Sequence, residues 1–245
     1  MARVDDLLAA GLRNLPAKPP DTAKQAEKKR YSELASQALA LAFAEELRQR
    51  GLKGTRPAPA GELDQSGAER RMAGGIGAKK VDVTWATEES GLLFAISIKT
   101  INFGDGGTGN YQKNLTNRRS DMLIEAVTLH RRFPYAVLAG FMFLDKGAEL
   151  DGTTKRRSTF VNAHARMKIF TARPDPAGRD EQFERLYIFL MDASPQKVSV
   201  RAYPIGELAK PVTLRDMFDD LVRLVAERNP DFYEEVNGNL VSVRS

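Results

Sequence analysis

The sequence predicts a mixed α/β domain built around a mixed central sheet. Three observations lead there: a long run of helix formers at 28–50, two adjacent stretches of alternating apolar and polar residues across 81–99, and helix and strand patterns that then alternate down the chain.

The elements follow in order. Val4, Leu7, Leu8, Leu12 and Leu15 recur at helical spacing, so residues 1–15 predict a short amphipathic helix. The stretch PAKPPDTAKQ links it onward, giving an N-terminal arm and linker over 1–27 and a single domain over 28–245. The arm is expected to pack on the body or on a partner, because exposed apolar stripes are costly in water. KKRYSELASQALALAFAEELRQR predicts a helix over 28–50, ended by Gly51. Residues 53–78, with GGIG at 74–77, read as loop with room for one short irregular strand.

In KKVDVTWA, Val81, Val83 and Trp85 are expected on one face, Asp82 and Thr84 on the other. TEESG supplies a turn. In LLFAISIK, Leu92, Phe94, Ile96 and Ile98 alternate with Leu93, Ala95, Ser97 and Lys99, so the two stretches predict a hairpin. A helix over about 111–132 and a buried strand over 135–144 come next. A helix over about 158–171, strands in RLYIFLMD and KVSVRAY, and a last helix over about 213–228 complete the series.

Composition narrows the chemistry. The 245 residues can bury one large core, and 42% hydrophobic with 28% charged residues is ordinary for a globular chain. The absence of cysteine excludes disulfides, thiolate metal sites and cysteine nucleophiles. With only two histidines, a bound metal is expected on oxygen ligands, the preference of Mg²⁺, Mn²⁺ and Ca²⁺. No apolar run approaches the roughly 20 residues of a membrane span. The first residues are acidic where a signal peptide would be basic, so the expectation is a cytoplasmic protein without membrane contact. A net charge of +5 and a pI near 9.4 are compatible with a polyanionic partner. Basic clusters occur at Lys28-Lys29-Arg30, Arg70-Arg71, Lys79-Lys80, Arg118-Arg119, Arg131-Arg132 and Lys155-Arg156-Arg157; each reads equally as a solvated surface patch, but several fall beside Asp82 and Lys99, which favours phosphate contact.

Phosphodiester hydrolysis needs an activated water and neutralisation of charge on the phosphate, which metal ions on carboxylates and a lysine can supply. A hairpin places such groups together, because side chains two apart share a face. Asp82 lies in the first strand, and Ser97 and Lys99 share one face of the second. Lys99 ends a strongly apolar run, where an unpaired ammonium is expensive and an anionic partner is expected.

KKVDVTWATEESGLLFAISIKT resembles the D-x(n)-(D/E)-x-K signature of the PD-(D/E)XK nucleases, the restriction-endonuclease-like superfamily. The predicted order also resembles that family's αβββαβ core over about 115 residues, 30–144, with additional α/β elements after 145. The resemblance implies that Asp82 binds metal and that Lys99 is the catalytic lysine. Ser97 stands where the second acid belongs, so a carboxylate from a helix is expected to replace it. Glu33 and Glu125 are the first candidates as metal ligands, followed by Asp121, Glu45, Glu46 and Glu69. Asn114, Arg118, Asp121 and Glu125 are spaced to share one helix face. Glu33 reads equally as an exposed helical carboxylate, and Glu125 as the partner of a basic neighbour.

Arg70, Arg71, Lys79, Lys80, Gln112, Asn114, Asn117 and Arg118 are the expected nucleic-acid contacts. GDGGTG at 104–109 lacks the Lys-Ser/Thr ending of a phosphate-binding P-loop and reads as a flexible loop near the substrate. His130 and His164, with no acidic partner at useful spacing, read as structural or surface residues. The function implied is a Mg²⁺- or Mn²⁺-dependent endonuclease of double-stranded DNA, of restriction or anti-phage defence type, acting as a homodimer or a defence-complex subunit. Two other readings stay open: a catalytically degenerate nuclease-fold subunit that binds nucleic acid or assembles a complex, which Ser97 favours, and a structure-specific repair or recombination nuclease.

Overall fold

A computed structural model describes residues 2–59, 70–73 and 78–243. Glu69, the GGIG segment and the side chains of Arg70, Arg71 and Lys79 lie outside the described residues. The elements are α1 (Arg3–Arg13), α2 (Gln25–Gln49), β1 (Arg70–Ala73), β2 (Ala78–Val81), β3 (Val83–Thr87), β4 (Gly91–Ile101), α3 (Leu115–His130), β5 (Val137–Asp145), α4 (Thr159–Met167), β6 (Arg185–Asp192), β7 (Ser199–Pro204), α5 (Leu214–Arg228), β8 (Tyr233–Val236) and β9 (Asn239–Ser242).

The central sheet has five strands in the order β3-β4-β5-β6-β7. β4, β5 and β6 run parallel, and the two edge strands pair antiparallel. Parallel neighbours need crossover connections, and α3 and α4 supply them. Both pack on one face, where Met122 and Ala126 of α3 and Phe160 and Ala163 of α4 bury Ala95, Leu138 and Ile188. On the other face, Phe43 and Leu47 of α2 and Phe218 and Val222 of α5 cover Phe94, Phe141 and Phe189. β5 is buried along almost its whole length, as a strand covered on both faces must be.

The arm packs on the body. Val4, Leu8 and Leu12 of α1 are buried in the core shared with α2 and α5. Arg3 then reaches Glu46 at 2.8 Å, and Glu46 also pairs with Arg50 at 2.6 Å. Glu45 pairs with Arg48 at 2.8 Å. These two glutamates, second-rank candidates for the missing acid, are therefore occupied as partners of arginines.

The alternation expected for the hairpin breaks in two places. Val81 packs with α3 and α4, whereas Val83 and Trp85 face the α2 and α5 side. The chain bends at Asp82, where pairing with β1 ends and pairing with β4 begins. Near the other end, Trp85 pairs with Phe94 but Ala86 pairs with Leu92, leaving Leu93 as a bulge. One extra residue reverses the pleat. Leu92 consequently faces α3 and α4 while Leu93 joins Phe94, Ile96 and Ile98 on the opposite side.

The hairpin β8–β9 is an addition to the predicted elements. Asn237 and Gly238 have φ values of 53° and 78°, as a two-residue primed turn requires. It docks on the end of α2, where the Leu240 N–H donates to the Arg50 carbonyl at 2.7 Å. Gly51, with φ of 94°, leaves no room for a side chain there: a Cβ would stand 2.1 Å from the Leu240 carbonyl oxygen.

Candidate active site

The bend at Asp82 has a chemical consequence. The Ile98 N–H on β4 would otherwise lack a strand partner, and it donates to Asp82 Oδ2 at 2.6 Å. This bond fixes the carboxylate beside the next residue, Lys99, whose Nζ lies 3.7 Å from the same oxygen.

A third group arrives from α3. Ser97 lies opposite Gly140 across the β4–β5 pair, so two small residues sit side by side under the helix. A Cβ at Gly140 would stand 2.6 Å from the Met122 terminal carbon. The helix thus packs close, and one turn beyond Met122 the Glu125 carboxylate meets both polar residues of β4. Lys99 Nζ lies 2.8 Å from Oε1 and donates to Oε2 at 3.0 Å. The Ser97 hydroxyl donates to the same Oε2. Ser97 is a partner that orients Glu125.

The side chains of Asp82, Lys99 and Glu125 are 13%, 11% and 11% exposed, so the charges sit largely out of water yet at the wall of a cleft. Burial acts to lower the Lys99 pKa, but the opposing fields of Glu125 and Asp82 are stronger and raise it above the ordinary lysine value. Lys99 is therefore a fixed cation at neutral pH and does not serve as a base. Two carboxylates on one ammonium leave one net negative charge, which suits a further cation.

The cleft, about 1090 Å³, is bounded by α2, Lys80 of β2 and the bend at Asp82, the end of β4, the loop after it and α3 from its start to Glu125. Asn114, Arg118, Asp121 and Glu125 all line it, so that helix face is brought together. Lys80 and Glu33 line it as well. Glu33 is 66% exposed and lies 3.8 Å from Lys29 on its own helix. Gln112 and Asn117 do not line the cleft: Gln112 buries its amide nitrogen, and Asn117 faces solvent. The loop GDGGTG contributes Gly104, Asp105 and Gly106 and is a closed turn, with Asp105 Oδ1 accepting the Gly107 and Thr108 N–H groups at 3.2 Å.

Several lining residues escaped sequence reasoning. Lys113 reaches Asp105 at 3.4 Å, and buried Asn102 donates to Ser32 at 3.1 Å. Neither carries a local pattern, because the cleft joins segments distant in sequence. His130 does have an acidic partner, Glu184, with Nε2 3.3 Å from Oε2, although they are 54 residues apart. His164 accepts the Gly206 N–H at 3.0 Å and is buried. Both histidines are structural.

Among the described residues no three His, Asp or Glu side chains form a metal-holding group. The donors present are the Asp82 and Glu125 carboxylates. One or two carboxylates completed by water is the usual protein contribution to a Mg²⁺ site, and the Asp82 and Glu125 carboxylates, only one of which Lys99 offsets, fit such an ion. No family model, curated protein or solved structure matches the chain.

Proposed function

We propose that this chain is a metal-dependent DNA endonuclease with a restriction-endonuclease-like αβββαβ core formed by α2, β2, β3, β4, α3 and β5, carrying Asp82, Glu125 and Lys99 as its catalytic groups. The observation that carries this reading is the meeting of Asp82, Lys99 and Glu125 in the wall of a large cleft. Element order supports it too: a helix, the β1–β2 pair, Asp82 at the bend, the antiparallel β3–β4 pair bearing Lys99, a crossover helix and a parallel strand follow one another. Asp82 and Glu125 would hold Mg²⁺ or Mn²⁺. When bound, such an ion lowers the pKa of water and neutralises phosphate charge.

The chain's own residues divide the rest of the work. Lys99, held charged, stabilises negative charge developing on the scissile phosphate. Ser97 keeps Glu125 turned toward Lys99. Lys80 and Arg118 at the rim meet neighbouring phosphates, as Lys28 and Lys29 of α2 do on the facing wall. Double-stranded DNA is the proposed substrate class, with the lysines and Arg118 of the cleft walls as its phosphate contacts. A homodimer would cut both strands, since one site cuts one, and a restriction or anti-phage defence role accords with such cutting.

The test is cleavage of supercoiled and linear plasmid by the purified chain with Mg²⁺ or Mn²⁺, with chelator as control. Ion-dependent nicking or linearisation is the expected result. Metal-independent binding without any cleavage would support the other reading, a nuclease-fold subunit without activity. That reading has a specific observation in its favour: Glu125 and Lys99 already neutralise each other at 2.8 Å.

A further inference from the structure

A second pocket lies at the other end of the sheet. It opens beside the start of β4, and Leu92 in its wall is seven residues before Lys99, roughly 23 Å along the strand. Its volume is about 470 Å³, within the range of small-molecule sites. Phe133, Tyr135 and Phe232 form its aromatic walls. Tyr135 is 61% exposed, so its ring is open to a ligand.

Behind these rings is a buried charge imbalance. Glu184, with no exposed side-chain surface, accepts from Arg173 at 3.2 Å and from Arg228 at 3.3 Å through the same oxygen. Its other oxygen accepts the Leu138 N–H at 2.8 Å and faces His130. The Arg173 side chain is 0% exposed and that of Arg228 9%. Two guanidinium charges thus share one carboxylate in a low-dielectric setting. Burying a charge without its counterion is strongly unfavourable. Arg228 is the member of this cluster that reaches the pocket wall, and its Nη1 has no hydrogen-bond partner among the described residues. Arg132 adds a positive charge at the mouth, with its guanidinium 5.8 Å over the Phe133 ring, while Asp231 carries the one opposing charge in the lining.

We infer that this pocket binds a small planar aromatic anion, with the ring between the aromatic walls and the anionic group toward Arg228. Neither part suffices alone. The rings offer stacking surface to any flat apolar molecule, and the guanidinium selects those bearing a carboxylate or phosphate. Both sources of negative charge are compatible with a planar guanidinium fork.

Calorimetric titration of the metal-free protein with adenosine 5′-monophosphate and with indole-3-acetate tests this, using adenosine and inorganic phosphate as half-ligands. At least one ring-bearing anion is expected to bind saturably below about 1 mM, at least about tenfold tighter than either half-ligand. The better of the two identifies phosphate or carboxylate as the natural group. Tyr135→Ala, exposed and therefore tolerated by the fold, should weaken binding about tenfold. Arg228→Gln should weaken it further, with thermal unfolding used to verify that the variant is folded. Asp82→Ala should leave affinity unchanged, because the cleft is remote. No saturable binding of either anion overturns the proposal. So does binding that survives Tyr135→Ala but is lost in Asp82→Ala, which would move the ligand into the cleft.

Discussion

Lys99 sits where burial and two carboxylates act against each other, and the carboxylates dominate. Removing its ammonium in Lys99→Ala should lower single-turnover cleavage at least about 100-fold, the scale of losing one preorganised electrostatic group. Affinity for DNA should change far less, as filter binding can show. Glu125 and Glu33 make different predictions although both line the cleft. Glu125→Gln takes a charge from Lys99 at 2.8 Å, so it should sharply weaken activation in a Mg²⁺ titration. Glu33→Gln changes a carboxylate that is 66% exposed, and the Mg²⁺ dependence should stay near that of the parent. His164 gives a pH signature. Burial pushes its pKa down from 6.5 to about 4, and the Gly206 N–H faces Nδ1, so the fold accepts only the neutral ring. Between these values the unfolded chain takes up a proton that the folded one refuses. Stability is therefore greatest above about pH 6.5 and declines as pH falls toward about 4. His164→Gln should flatten that part of a melting-temperature profile; an unchanged slope would show that other groups cause it.

Among the elements, α3 decides the site because its distance from β4 sets where Glu125 lies. Gly140→Val adds carbons beneath Met122, already 2.6 Å from an added Cβ, and should lift the helix. A stability loss of about 1–3 kcal/mol is expected from overpacking, together with a fall in activity, by denaturant titration and cleavage assay. The helices and most strands were legible in sequence because their apolar periodicity is local. RLYIFLMD corresponds to the observed β6, Arg185–Asp192. The Leu93 bulge was not legible: one inserted residue changes which face each leucine takes without changing composition. The β8–β9 hairpin was legible in principle, since Asn237-Gly238 is a strong turn signal between short β-prone stretches. Glu125 was among several helical acids that spacing alone could not rank. Packing of Met122 over Gly140 is what selects it, and that contact depends on residues 18 apart in sequence.

At the scale of the whole molecule, the sheet separates two surfaces: the basic and acidic cleft at the far end of β4 and the aromatic pocket at its start. Lys28, Lys29, Lys80, Lys113 and Arg118 border the cleft around the Asp82–Lys99–Glu125 group, with Glu33, Asp105 and Asp121 among them. DNA binding should accordingly weaken with salt, with a log–log slope of about −0.9 for each phosphate neutralised. A flat response between low and moderate salt would point to a protein partner. Metal-dependent phosphodiester cleavage in the cleft depends most directly on the Asp82 carboxylate, fixed beside Lys99. The decisive measurement compares the parent chain with Asp82→Ala in Mg²⁺-dependent plasmid cleavage, with circular dichroism on both. Cleavage by the parent and at least about a 100-fold loss in a folded Asp82→Ala is the predicted result. Equal cleavage by the two folded proteins would contradict the account.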